Sequence, residues 1–243
     1  MGESLLDILP VKPFDSFLQG WQRWQQAPQA LAILGGGAAG VELALAVASQ
    51  VPQLTLLSSA RVLAGHPLAL RQRALRHLAD AGVRVEEGVA VDSIHGDALV
   101  AGDRLVWCGI RVILATGASA LPWVGLSGLD CDEHGFVRVG QTLQSLSHPH
   151  VFAAGDCASL TATPRSGVYA VRQGPVLAAN LGAALSGQPL TRFQPQRRAL
   201  ALLADGQGGA LLSWSGMTAE GALLGRWKDR LDRRFIDRHH GTP

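Results

Sequence analysis

Leu31-Ala32-Ile33-Leu34-Gly35-Gly36-Gly37-Ala38-Ala39-Gly40-Val41-Glu42 is the stretch on which the reading of this chain turns. Four apolar residues in a row, Leu31 to Leu34, suit a strand buried on both faces. Gly35, Gly37 and Gly40, with Gly36 between the first two, then fall in G-x-G-x-x-G spacing as a helix opens. Gly35 permits the tight turn, Gly37 lets the backbone approach a pyrophosphate, and Gly40 lets the helix pack closely on the strand. The free N–H groups and the positive dipole end of that helix suit phosphates. Spacing alone is weak evidence, because 29 of the 243 residues are glycine, and a plain glycine turn is the alternative. Context strengthens the first reading: residues 38–50 are a helix-length run and residues 54–57 a second apolar strand, which together make a βαβ unit of about 30 residues.

In such units an acid about 20 residues past the glycines binds the ribose 2′-hydroxyl of NAD. Here the second strand ends Leu56-Leu57-Ser58-Ser59-Ala60-Arg61, without an acid. Ser58, Ser59 and Arg61 instead suit a 2′-phosphate, which tilts the expectation toward NADPH.

Composition narrows the function classes. Hydrophobic residues make up 47% of the chain, ample for a real core. With 21 basic against 19 acidic side chains, the overall field gives no reason to expect a nucleic-acid partner. Eight histidines are dispersed without metal-site spacing, so no metal ligands are expected. The three cysteines, Cys108, Cys131 and Cys157, are far apart and form no C-x-x-C, which points to a reducing cytoplasm and against a redox-active pair. The opening Met-Gly-Glu-Ser-Leu-Leu-Asp lacks the pattern of a signal peptide. The long uncharged run of residues 112–129 is broken by three glycines and Pro122, which argues against a membrane span.

Four regions are expected: a lead-in over 1–28, a Rossmann domain over 29–120, a second α/β block over 121–190, and a C-terminal segment over 191–243. The lead-in shows little strand pattern, but 15–26 suit a short amphipathic packing helix carrying Phe17, Leu18, Trp21 and Trp24. A helix is expected over 68–81, stopped by Gly82, and a parallel strand over 83–87. Residues 89–94, 98–100 and 104–107 read as an antiparallel meander. Residues 111–115 return to a buried strand that runs into Thr116-Gly117.

In the second block, 136–139 read as a strand, and 151–154 as a buried strand ending in Gly155-Asp156. A carboxylate there points into the ligand crevice of an α/β sheet, so Asp156 suits a ribose or ribityl hydroxyl; the alternative is an N-cap for the next helix. Residues 170–185 are helical in pattern, with a bend or restart expected at Gly174-Pro175. In the tail, strands are expected at 199–203 and 210–214, and a helix at 223–239. That helix carries six Arg or Lys and three Asp, with Leu224, Trp227, Leu231 and Phe235 on one face. It suits either an anionic membrane surface or packing on the protein or a twin subunit.

Three marks in order resemble the two-dinucleotide flavoprotein reductases, the pyridine nucleotide-disulfide oxidoreductases. They are Gly35 to Glu42, Ala115-Thr116-Gly117, and His148-Pro149-His150-Val151-Phe152-Ala153-Ala154-Gly155-Asp156. Val11-Lys12-Pro13, residues 167–175 (GVYAVRQGP) and residues 228–235 (KDRLDRRF) look more narrowly like the branch akin to type II NADH dehydrogenases that is often joined to selenophosphate synthetase. The resemblance implies a Rossmann-like α/β domain, a partial FAD-type α/β domain and a small C-terminal strand and helix segment. It implies NAD(P)H at Gly35, Gly36, Gly37 and Gly40, with Ser58, Arg61, Thr116 and Gly117 also at a cofactor and Glu42 near the nicotinamide. The bland reading of Glu42 is a carboxylate stabilised at a helix N-terminus. FAD is implied at Gly155 and Asp156, with Tyr169 and Gln173 near the flavin ring.

The sequence departs from the family in two ways. Only one glycine fingerprint is present, so the segment that holds the ADP half of FAD, about the first third of the usual protein, is expected on another polypeptide or missing. The absent cysteine pair rules out disulfide-reductase chemistry but agrees with the type II dehydrogenase branch. The implied activity is hydride transfer from nicotinamide to flavin, and no side chain is assigned as catalytic because the cofactors carry the chemistry. The implied partners are a small-molecule acceptor (a quinone or a selenium species), selenophosphate synthetase or a polypeptide with the FAD half, a second copy of the chain, and the inner face of a membrane. The rival reading is a non-catalytic NAD(P)H-binding module.

Overall fold

Uncharged apolar runs such as residues 31–34 and 54–58 belong inside a parallel sheet, where both faces are covered. The computed structural model, which describes residues 5–196 and 200–239, has them there. The chain begins β1 (Asp7–Pro10), α1 (Phe14–Gln25), β2 (Leu31–Leu34), α2 (Ala38–Val47), β3 (Leu54–Ser58), α3 (Leu68–Asp80) and β4 (Arg84–Glu87). It continues β5 (Ser93–His95), β6 (Ala98–Ala101), β7 (Arg104–Cys108) and β8 (Arg111–Leu114). One sheet runs β1-β8-β2-β3-β4, parallel at every pairing. This is the Rossmann-like arrangement that the glycine turn and apolar strands predict.

Alternation along β2 explains both layers. Leu31 and Ile33 face a core shared with Val41, Ala44 and Leu45 of α2 and with Leu70 and Leu78 of α3. Ala32 between them faces the other way, with Leu57, Val89, Leu99 and Val112. The antiparallel meander β5-β6-β7 thus helps cover the second face of the sheet, where a parallel sheet needs a cover.

The remaining elements are α4 (Pro122–Gly125), β9 (Val137–Val139), β10 (Ala158–Leu160), α5 (Gly167–Leu185), β11 (Ala201–Ala204), β12 (Ala210–Trp214), β13 (Met217–Gly221) and α6 (Ala222–His239). The chain divides into two compact units, Met1–Gly117 with Leu200–Pro243, and Ala118–Ala199.

The tail belongs to the first unit. Leu203 and Leu211 are buried in the same core as α2 and α3. Glu220 of β13 pairs with Arg73 at 2.8 Å, Arg76 at 3.1 Å and His77 at 3.4 Å, all on α3. Gly225 lies so close to the Gly208 carbonyl that a Cβ would collide with it, which seats the first turn of α6 on the β11–β12 turn.

Five local expectations need correcting. The lead-in holds an edge strand, β1, missed because its four residues include an aspartate and a proline. The proline ends an edge strand, where no ladder donor is lost. Residues 151–154 form no strand; Phe152 makes one isolated bridge to Gln144, and the paired parallel strand is β10, three residues further on. The backbone of 151–153 is used up by the 143–145 turn, through Ser145 N–H to Val151 O and Ala153 N–H to Leu143 O. Gly174-Pro175 does not restart α5, which runs unbroken past them on its exposed side, where water can take the carbonyl that a proline leaves without a donor. The first tail strand is Ala201–Ala204, and Ala199 lies outside the described residues. A third tail strand, β13, was not read from the sequence at all.

Candidate functional site

The glycine turn joins β2 to α2 with a different demand at each glycine. Gly35, at φ +127°, turns beside the Ala115 carbonyl, which an added Cβ would strike. Gly36 leaves no room because Ser58 and Val62 lie against it. A Cβ on Gly40 would collide with the Gly35 carbonyl, so α2 sits directly on the turn. Gly37 is the exception: nothing lies within 4 Å of where its Cβ would be. Gly37 is also the N-cap of α2, no side chain caps the helix, and its first turn holds no acid. The N–H groups of that turn are therefore open to an anion, and the space beside Gly37 is a cradle that a side chain would fill. The backbone fits a dinucleotide pyrophosphate on its own geometry.

At the ends of β3 and β4 the structure assembles a group that the sequence left scattered. Ser58 is 5% exposed and register-paired with Glu87. Glu87 Oε1 accepts the Val62 N–H at 2.5 Å, and Oε2 pairs with Arg71 Nη2 at 2.5 Å. Leu63 donates its N–H to the Gly36 carbonyl at 2.8 Å, tying this loop to the glycine turn. Arg61 is exposed at the start of the loop. Glu87 and Arg71 were missed because they are far from the fingerprint in sequence; the signal was the register of β4 beside β3.

Glu42 has a partner set from the tail. Its Oε1 accepts the Ala204 N–H at 2.8 Å and lies 3.7 Å from Lys228 Nζ of α6, which also bonds Asp232 at 2.8 Å. Burial raises the Glu42 carboxyl above the ordinary glutamate range, outweighing the Ala204 amide and the Lys228 ammonium that pull it down. Lys228 is raised as well: burial opposes its charge, but its bonds to Asp232 and Glu42 prevail. The pair ties α2 to α6.

Ala115 donates its N–H to Leu34 O, and Thr116 and Gly117 follow β8 as exposed residues, Gly117 at φ +102°. In the second unit, Gly155 at φ +69° opens a short turn and donates its N–H to Gln173 Oε1 at 2.6 Å. Gln173 is 4% exposed, so a polar side chain of α5 is committed to this turn. Asp156 follows inside the turn; α5 begins eleven residues on with Ser166 in its N-cap position, so Asp156 does not cap that helix. Tyr169, on the first turn of α5, donates its hydroxyl to Gln196 O at 3.4 Å and lines a shallow depression with Gly155, Arg165 and Gln173. The structure thus brings Gly155, Asp156, Tyr169 and Gln173 to one place. Among the described residues no cluster of His, Cys, Asp or Glu suits a metal ion.

Residues 13–174 match the pyridine nucleotide-disulphide oxidoreductase family, over more than half of the chain. The chain belongs to that family. Among curated relatives, the demethylphylloquinone reductase NdbB of Synechocystis is 29% identical over 219 residues, 81% of this chain and 52% of that protein. The type II NADH:quinone oxidoreductase of Haemophilus influenzae is 26% identical across 81% of this chain and 47% of its own length. The chain spans about half the length of the curated relatives it matches. Its fold matches a ferredoxin reductase from Rhodopseudomonas palustris at TM-score 0.67, with 19% identity over 84% of this chain and 51% of that one. It also matches the NADH-bound water-forming NADH oxidase of Lactobacillus brevis at TM-score 0.66, with 21% identity over 85% and 47%. At such identities the likeness speaks to the fold. These relatives give no support to the link with selenophosphate synthetase. No helix among the described residues is long and apolar enough to cross a membrane.

Proposed function

We propose that this chain is the nicotinamide-binding part of an FAD-linked NAD(P)H oxidoreductase, with a quinone as the favoured small-molecule acceptor. The observation that carries the reading is the uncapped N-terminus of α2 with open space beside Gly37. Family membership and the names of the relatives, two of them quinone reductases and one an oxidase bound to NADH, supply the chemical class. Flavin, when bound, accepts a hydride from the reduced nicotinamide and passes electrons on. In this reading Gly35, Gly36, Gly37 and Gly40 hold the pyrophosphate, the exposed Ser59 and Arg61 meet the adenosine ribose in place of Ser58, which is buried against Gly36, and Thr116 and Gly117 border the nucleotide. Glu42, held by Ala204 and Lys228, is the candidate for contact with the nicotinamide end. Gly155, Asp156, Tyr169 and Gln173 meet the ribityl and ring end of the flavin.

A second observation favours sharing of the flavin site with another polypeptide segment. Helix α5 carries one charge, Arg172, over 19 residues, and its only buried side chains are the polar Gln173 and Asn180. Val168, Val171, Pro175, Ala178, Gly182 and Leu185 recur every three or four positions, all exposed. An apolar stripe of that kind is built to be covered, and a segment bearing the other glycine fingerprint would cover it. The half-exposed Trp227, Leu231 and Phe235 of α6, on a helix with six basic residues, support attachment to an anionic membrane surface.

The function is tested by supplying the chain with FAD, NADPH, a short-chain quinone and a polypeptide carrying a first fingerprint. NADPH consumption that requires all of them is expected. No consumption, with both polypeptides folded and associated, would remove the oxidoreductase reading and leave the binding module.

A further inference from the structure

The acid that ordinarily stands beside the adenosine ribose is missing from β3, and the neighbouring strand carries one instead. Ser58 and Glu87 are register partners at the C-terminal ends of β3 and β4. Both oxygens of Glu87 are engaged, one by the Val62 N–H and the other by Arg71, and the two side chains are largely covered, 29% and 20% exposed. Arg71 Nε is buried without a hydrogen-bond partner, so this guanidinium depends on Glu87 for compensation. Beyond Val62 the loop is fixed by Leu63, which is buried, at φ +53°, and bonded to Gly36 O. Glu87 therefore fastens the loop that carries Arg61 against the glycine turn.

We propose that the Arg71–Glu87 pair sets the choice between NADPH and NADH; the inference rests on the reading of the Gly35 turn as a dinucleotide site. A free carboxylate at this edge accepts the ribose 2′-hydroxyl and repels a 2′-phosphate. Glu87 does neither, since its charge is offset and its lone pairs are directed to Val62 and Arg71. The 2′-phosphate then meets Ser59 and Arg61 with no opposing charge beside them. Removing the arginine would leave an uncompensated carboxylate at the edge, an element that works against the phosphate-bearing cofactor. Removing the carboxylate's charge would leave a second cation there.

The test titrates the full chain by calorimetry with NADPH and NADH, and with adenosine 2′,5′-bisphosphate against adenosine 5′-monophosphate, which isolates the 2′-phosphate. Arg71→Gln should lower the NADPH-to-NADH affinity ratio about tenfold, ~1.4 kcal/mol. Arg71→Lys should largely keep it, and Glu87→Gln should raise it several-fold. The adenosine pair should move in parallel, and the shifts should shrink at high salt. Variants that weaken both dinucleotides equally, with the ratio unchanged, would make the pair merely structural and overturn the proposal. Should Arg71→Gln fail to fold by circular dichroism, Glu87→Gln decides alone on the same criterion. Wild-type protein that binds neither dinucleotide overturns this proposal together with the reading it rests on. Binding that is lost in Gly37→Val, with a ratio constant across the Arg71 and Glu87 variants, overturns this one only.

Discussion

Arg61 stands where the sequence places the discriminating contact, exposed at the start of a loop fixed on both sides. A charged hydrogen bond to a 2′-phosphate contributes about 1–2 kcal/mol at an exposed site. Arg61→Ala should therefore weaken NADPH about tenfold and leave NADH nearly unchanged, read as two dissociation constants by fluorescence titration. Wild-type protein that prefers NADH would show the tilt to be wrong. At this scale the sequence was most legible where chemistry demands one residue type in fixed spacing, as at Gly35, Gly37 and Gly40. It was least legible where partners come from distant segments. Nothing near Glu42 indicates that Ala204 and Lys228 will take its carboxylate, because that contact exists only once the tail has folded onto α2.

Elements with strong periodicity or unbroken apolarity, such as β2, β3, α3 and α6, were legible nearly to their ends. Elements were lost where local pattern was short or tertiary pairing decided: β1 and β13 exist because β8 and β12 offer them ladders, and 151–154 fail as a strand because their bonds go to a turn. Strand β13 is also held by charge. Partial burial works against the charged form of Glu220, but the hydrogen bond and charge of Arg73, with Arg76 and His77, outweigh it and hold the carboxyl below the ordinary glutamate range. A lowered folded value means stability that is present above the unfolded carboxyl's range and lost as pH falls through the folded value. Glu220→Gln should cost about 0.5–1 kcal/mol at neutral pH, kept small by solvent screening, and flatten the acid side of the stability curve. Urea midpoints from pH 7 down to pH 3 read this directly; parallel curves for the two proteins would deny the clamp. Helix α6 presents Trp227, Leu231 and Phe235 beside its basic residues. Co-sedimentation with vesicles of anionic lipid should fall when these three become serine, and binding unaltered by the change would dispose of membrane attachment.

At the scale of the whole molecule, the fold class was legible because fingerprint, Ala-Thr-Gly and Gly-Asp follow in family order. The proposed flavin site was only half legible, since the sequence offers one candidate set of contacts. Gly155, Asp156, Tyr169 and Gln173 gather at one turn, and a single glycine fingerprint serves the chain. Diphosphate contacts are charged hydrogen bonds worth about 1.5–3 kcal/mol each, so a flavin bound through its ribityl end alone is held weakly. The chain by itself should emerge colourless from gel filtration after incubation with FAD, with little NADPH oxidation. Stoichiometric flavin with turnover against an artificial acceptor would instead make this chain sufficient for the complete reaction. The central claim, that a nicotinamide dinucleotide lies on the Gly35 to Gly40 turn, is tested most directly by titrating NADPH into wild-type protein and Gly37→Val. Because open space surrounds that position, the variant should keep a native circular dichroism spectrum while its affinity falls tenfold or more. Equal affinity in two equally folded proteins would contradict the account.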